Sequence, residues 1–341
     1  MKKQLSSIVK YAFFFGLGLF LVWWSLRQIP ANKWDEFIQT LREAKYWLMI
    51  PVFVILSLSH ILRALRWRIL MQPLGYTPSI PNTFFAVMIG YLANLAIPRL
   101  GEVLKCTLLA KYEKVPAEKL VGTIVAERAI DVLSLGIVFI VTLLSQTDLI
   151  ASYGIELFNQ LFENKEGHFS IEKISIVVCF ILGIVILLKI WSKKYGHLPF
   201  VVSTKKIISG IWEGISSISH LQQKGLFIIY SVAIWLLYIG GTWVGLSATV
   251  GTAGLGFNAA LAALAFGSIG MIVTPGGIGA YAYFIAKIVE KMGVPFEIGF
   301  ANGTLQWFAQ FIIVLIVGSI CLLLLPIYNK NRTIHESNRS H

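Results

Sequence analysis

Charge is scarce in this sequence. Only 13% of its 341 residues are Asp, Glu, Lys or Arg, against about 25% in a soluble domain. That shortage excludes a chain that covers itself with a water-facing surface. Short segments of alternating apolar and polar residues are missing too, which excludes an outer-membrane β-barrel. The three cysteines, Cys106, Cys179 and Cys321, lie far apart in apolar surroundings, so neither a disulfide framework nor a zinc site is expected. The six histidines make no metal-ligand spacing, and no Ser–His–Asp set can be assembled. The glycine-rich GGIG run is followed by no GK[ST] and does not fit a dinucleotide fingerprint. No cofactor, no metal and no catalytic residue is therefore expected, and the chain does not read as an enzyme.

Acid is scarcer than base, 17 residues against 29, for a net charge of +12. The basic residues sit mainly between apolar runs. There they orient a membrane protein and meet anionic lipid heads, so nucleic acid is not the expected partner.

Long apolar runs dominate: 56% of the residues are hydrophobic. Stretches of about 18 or more apolar residues cross the roughly 30 Å of hydrocarbon as helices, because lipid offers the backbone no other partners. Full spans are expected near 8–26, 46–62, 119–145, 173–191, 226–250 and 300–326. The first opens with Lys2 and Lys3 like a signal peptide but is too long. It ends in Trp23 and Trp24 without a small-residue cleavage site, so it reads as a retained span. Two further apolar segments, 82–113 and 258–291, are each broken in the middle, by IPRLGE at 97–102 and by TPGGIGAY at 274–281. Proline ends a helix and glycine permits reversal. The expected fold is thus an all-α polytopic membrane protein, with about six full transmembrane helices and two Gly/Pro-broken segments, re-entrant or discontinuous. Residues 1–45 read as an anchor span and external loop, 46–328 as the transmembrane domain and 329–341 as a cytoplasmic polar tail.

Basic loops at 2–10, 63–68, 189–224 and 330–339, against the acidic loop at 146–172, place both termini in the cytoplasm. Six spans fit that pattern only if each broken segment returns to the side from which it came, the first from the cytoplasm and the second from outside. The two breaks also echo each other. Each break proline is followed about 20 residues on by a second proline and then a long span, Pro98 by Pro116 and Pro275 by Pro295. Interrupted segments at corresponding places in two halves of opposite topology point to an inverted repeat and a transporter-type site. The segment 205–225 is amphipathic and reads as a helix on the cytoplasmic interface. RALRWRILMQPLG at 63–75 reads the same way, with Arg63, Arg66 and Trp67 at headgroup depth.

Charges at membrane depth are the candidate site. Arg99, Glu102 and Lys105 follow the first break, and Glu127, Arg128 and Asp131 lie inside the span at 119–145. Each costs about 2.5–3.5 kcal/mol at the bilayer centre, so the six must pair, line a watery cavity or lie shallow. One arrangement pairs Arg99 with Glu127 or Asp131 structurally. The other has Arg99 holding a phosphate beside the half-helix break, because guanidinium forks and helix N-termini both suit phosphate oxygens. At the second break Pro275, Gly276, Gly277 and Gly279 either bring a headgroup close to the backbone or permit tight helix packing.

Taken together, RALRWRILMQPLG, NLAIPRLGEVLK, AERAIDVL and TPGGIGAYAY resemble the transmembrane domain of lysylphosphatidylglycerol synthases over roughly residues 45–325. In bifunctional relatives that domain translocates an aminoacylated phospholipid made by a separate soluble domain. This chain ends about 15 residues after its last span, so a stand-alone, flippase-like member without the synthase domain is expected. The resemblance implies a lipid translocator of the cell (inner) membrane. Its partner would be a phospholipid or polyprenyl-linked lipid, with a second copy of the chain or a lipid-modifying enzyme alongside. It also implies headgroup binding by Arg99, Glu102, Glu127, Arg128, Asp131, Pro275, Gly276, Gly277 and Gly279. The rival readings are a membrane-embedded enzyme or enzyme subunit using Glu102 or Glu127 on a lipid-linked substrate, and a small-solute transporter.

Overall fold

A computed structural model describes residue 16 and residues 19–97, 99–145 and 221–339. Ten helices follow one another in the described residues: α1 (19–27), α2 (Trp34–Arg42), α3 (Met49–Met71), α4 (Ile80–Ala96), α5 (Leu100–Glu113), α6 (Ala117–Ser145), α7 (Lys224–Leu246), α8 (Phe257–Val273), α9 (Ala280–Glu290) and α10 (Phe296–Arg339). No strand occurs among these residues. The chain is an all-α polytopic membrane protein, and its surface says so directly. Leu144 and Leu323 are 69% exposed, whereas Arg66 and Glu127 are at 0% and 2%. Apolar groups outside and charges inside suit a lipid solvent. Tyr46–Leu74, Lys224–Leu246 and Phe296–Arg332 are long and apolar enough to cross a membrane. At 29 residues α6 is about 43 Å long, but it carries Glu127, Arg128 and Asp131.

Helices occupy four of the six expected spans, α3, α6, α7 and α10, and all of these but α6 are long and apolar enough to cross a membrane. Most of the first span, the acidic loop at 146–172, the span at 173–191 and residues 205–220 of the amphipathic segment lie outside the described residues. The interfacial reading of 63–75 is overturned. Residues 63–71 continue α3 without interruption, Pro73 is the first helix breaker after them, and Arg66 and Trp67 are both fully buried. Once α3 runs straight through, its 3.6-residue period turns Arg63, Arg66 and Trp67 toward α6 instead of along a membrane surface. Residues 329–339 of the expected tail continue α10.

Both broken segments are helical hairpins. α4 starts on an N-cap, Ser79, with proline in its first turn, and ends at Ile97 in an extended conformation. Arg99 then takes a left-handed one (φ 68°) and α5 begins. The two legs touch at Gly90 and Gly101. A Cβ on Gly101 would collide with the Gly90 carbonyl, and the Gly101 N–H donates to Asn94 Oδ1 at 2.7 Å. The second hairpin packs its legs the same way, since a Cβ on Gly270 would lie 2.7 Å from the Tyr281 backbone. Its tip is a single 3₁₀ turn, Pro275–Gly277, and Gly276, Gly277 and Gly279 all have positive φ. That conformation favours glycine.

The halves α3–α6 and α7–α10 form an inverted repeat. α3 and α7 are 23 residues each, and α4 and α8 are 17 each. α3 and α7 pack antiparallel: Ile55 and Leu56 face Gly241, while Trp67 to Met71 share a core with Phe227 and Tyr230. α4 therefore enters from the end of the bundle where α3 finishes, and α8 from the opposite end. Asn82 at the start of α4 bonds Asn329 of α10, and Asn258 at the start of α8 bonds Ser145 of α6, the corresponding contact. Between the two hairpins, α4 packs on the Pro275–Gly277 turn.

The glycine contact gives a clean test. Gly101→Ala should lose about 1–3 kcal/mol through overpacking, whereas Gly122→Ala on α6, with open space around it, should be neutral or gain up to about 1 kcal/mol. Unfolding in detergent measures both, and equal stability of the two variants would remove the close approach at Gly101.

Candidate functional site

The charged residues of α6 are held from two sides. Asp131 accepts from Arg63 Nη2 through one oxygen and from Arg66 Nη2 through the other, the second at 2.6 Å. One helical turn away, Glu127 receives Lys105 Nζ from α5 at 3.1 Å and has Arg66 Nη2 at 3.8 Å. Spacing explains why both carboxylates face the same way, because residues four apart share one side of a helix. Arg63 also donates through Nη1 to the Tyr91 hydroxyl of α4 at 2.8 Å. Lys105 lies 4.4 Å from the centre of the Trp67 ring, whose Nε1 donates to Thr123 Oγ1 at 2.9 Å. A Cβ on Gly90 would meet the Lys105 stem at 2.7 Å, so glycine at 90 lets that side chain cross α4 and reach Glu127.

At the rim of this network the side chains are more accessible. Arg128 Nη2 and Glu102 Oε1 pair at 3.0 Å, with side chains 47% and 29% exposed. Arg99 is exposed at the hairpin tip and has no ion-pair partner among the described residues. Its left-handed conformation is uncommon outside glycine, and such strain concentrates at functional sites.

Four of the anticipated residues, Glu102, Glu127, Arg128 and Asp131, thus come together. Arg99 does not join Glu127 or Asp131, because Lys105, Arg63 and Arg66 already occupy them. Arg128 turns to Glu102 instead of Asp131. Pro275, Gly276, Gly277 and Gly279 form the other hairpin tip, which carries no charge. There the Gly276 carbonyl accepts from Trp307 Nε1 at 2.7 Å, and Gly277 packs on Met271 and Tyr281. Among the described residues no group of three His, Cys, Asp or Glu is arranged to hold a metal.

Reasoning from sequence missed Arg63 and Arg66 as site residues. A usable signal was present in the balance of charge: two buried carboxylates need cations, and Arg63 and Arg66, three apart on a helix, were the nearest pair that could face inward together.

A family model described as the lysylphosphatidylglycerol synthase TM region matches residues 7–318. A UPF0104 membrane protein of Methanocaldococcus jannaschii is 22% identical over 316 residues, covering 85% of this chain and 88% of its own. No solved structure matches.

Removing one partner from a buried ion network leaves an uncompensated charge, at a cost of about 3–5 kcal/mol. Asp131→Asn should therefore destabilise by that amount in detergent unfolding. Glu102→Gln, at the half-exposed rim, should cost less than about 1 kcal/mol. Equal losses would mean that Arg63 and Arg66 do not depend on Asp131.

Proposed function

The chain belongs to the lysylphosphatidylglycerol synthase TM region family, and on that premise we propose that it is a flippase-like translocator moving a phospholipid or polyprenyl-linked headgroup across the bilayer. The observation that carries this reading is the pair of opposed hairpins with a charge network against one of them. Irregular backbone at membrane depth is tolerated only where protein or a polar passage surrounds it. Hairpins entering from opposite ends shorten the barrier that a headgroup must cross while its acyl tails stay in lipid. In this reading Arg99 at the exposed tip meets the phosphate first, and the half-exposed Glu102–Arg128 pair lies beside it. Glu127 and Asp131 hold the cations behind that rim, and the Pro275–Gly279 tip closes the passage from the other side. The protein sits in a cell (inner) membrane with both termini cytoplasmic, as the distribution of basic residues favours.

Enzymatic use of Glu102 or Glu127 on a lipid-linked substrate is the weaker reading. Both carboxylates are already engaged by cations, Glu127 by Lys105 and Glu102 by Arg128, and a substrate would have to displace those partners.

Proteoliposomes holding headgroup-labelled lipids test the proposal. Wild-type protein should move at least one anionic or aminoacylated lipid faster than empty vesicles do. Arg99→Ala should slow that movement about 10-fold, the usual cost of one charge-assisted hydrogen bond. Movement at the wild-type rate by a folded Arg99→Ala would remove the role given to Arg99. Product formation from a lipid-linked substrate, without lipid movement, would favour the enzyme instead.

A further inference from the structure

We infer that Arg63 and Arg66, buried where α3 meets α4, α6 and α7, form a binding site for a phosphate-type oxyanion, deeper in the protein than the rim around Arg99. The first argument is charge. The buried part of the network holds three cations, Arg63, Arg66 and Lys105, and two carboxylates, Glu127 and Asp131. The outer Arg128–Glu102 pair is neutral by itself. Among the described residues one positive charge is left over in an interior surrounded by hydrocarbon, where an uncompensated charge is costly. A phosphodiester carries one negative charge and would cancel it.

Hydrogen bonding supplies the second argument, independently of the charge count. Asp131 takes only the Nη2 group of each arginine, and Tyr91 takes Arg63 Nη1. Arg63 Nε, Arg66 Nε and Arg66 Nη1 are buried without an acceptor among the described residues, and the Arg66 side chain is 0% exposed. Three guanidinium nitrogens left without an acceptor among the described residues call for a partner with several oxygens. Oxyanions of phosphate type suit such forks better than a further carboxylate does.

Other donors lie at the same level. Tyr91 accepts from Arg63 and so keeps its own O–H to donate. The antiparallel register that sets Leu56 against Gly241 brings Trp235 level with Arg63, and Trp235 Nε1, a donor only, is likewise buried without an acceptor.

The ligand is either the phosphodiester of a lipid or a free phosphate. Its meaning as a station on a lipid path rests on the translocation reading above, but the binding itself does not. The test uses the full chain in a neutral, phosphate-free maltoside detergent, with the thermal unfolding midpoint as readout. The midpoint should rise with phosphatidylglycerol and stay flat with diacylglycerol of the same chains. A rise with inorganic phosphate as well would identify a free ion as a ligand, and a rise with the lipid alone would identify the lipid. Arg63→Lys and Arg66→Lys keep the charge but lose the fork. Each should weaken phosphatidylglycerol binding about 10-fold, while Lys287→Ala at the surface should leave it unchanged. Lys105→Met removes the surplus charge, keeps both forks and should weaken binding too, which keeps the idea testable if the arginine variants fail to fold.

An equal rise with diacylglycerol, or wild-type affinity in all three variants, overturns the inference. Labelled-lipid movement in proteoliposomes separates it from the broader reading. If wild type and both folded lysine variants move lipid at the same rate, the arginines' role as a station on the lipid path falls and translocation stands. If wild type binds phosphatidylglycerol through these arginines yet moves no lipid, translocation falls and the site stands.

Discussion

Two carboxylates one helical turn apart, Glu127 and Asp131, are the interaction on which the described bundle depends. From α6 they hold Arg63 and Arg66 of α3 and Lys105 of α5. Lipid contributes little to drawing apolar helices together, because a lipid tail is as apolar as leucine. Helices in such a medium associate through close packing and polar contacts, and here the polar contacts are concentrated at one place. Packing does its part nearby: Gly90 and Gly101 bring α4 and α5 into backbone contact, and that same thinness at Gly90 gives Lys105 its route to Glu127. The glycine contact and the ion pair are therefore one construction, and neither position can grow without disturbing the other.

The inverted repeat sharpens what the charges mean. At a common offset of about 180 residues, Glu127 corresponds to Gln306, Arg128 to Trp307 and Asp131 to Gln310. The four-residue spacing survives, and so does the polar character, but every charge has gone. Gln306 bonds Asn302, which in turn bonds the Gly245 carbonyl and Thr249. A Cβ on Gly245 would run into Gln306, so the glycine there makes room for the amide as Gly90 does for the lysine. Amides can satisfy each other inside lipid at much lower cost than ions. A scaffold that needed only to hold two hairpins upright has that solution available and uses it in one half. Three cations and two acids in the other half are more than the architecture requires.

Much of this was legible in the sequence. The two breaks announced themselves through Pro98, Pro275 and their glycines, and the echo between Pro116 and Pro295 pointed to the repeat that α3–α6 and α7–α10 display. Glu102, Glu127, Arg128 and Asp131 stood out because charge inside an apolar run is rare. The local pattern misled at Arg63, Arg66 and Trp67. Aromatic and basic residues at the end of an apolar run are the usual marks of an interface, and no local feature separates that arrangement from a helix that carries them inward. What decides the matter is the position of α6, some 60 residues further on, and the two carboxylates it brings. The same limit applies to Arg99. From sequence it was the natural partner of Glu127 or Asp131; in three dimensions closer cations satisfy both, which frees Arg99 at the hairpin tip.

That displacement has a physical consequence for how the site is layered. Among the described residues Arg99 at the tip has no counter-ion, the Glu102–Arg128 pair behind it is half-exposed and neutral, and the arginines behind that pair are buried with N–H groups to spare. With Arg63 and Arg66 at the interface and Arg99 on Asp131, as the sequence invited, Arg99 and Lys105 would meet Glu127 and Asp131 and the interior would balance. Because Arg63 and Arg66 hold Asp131 instead, positive charge is present both at the rim and inside, with a neutral pair between. On the translocation reading proposed above, a ligand drawn to the first has a second place to go. The opposite half, uncharged at its hairpin tip and carrying amides on α10 where α6 carries acids, repeats none of these charges, so a pseudo-symmetric fold has different chemistry in its two halves while keeping one architecture.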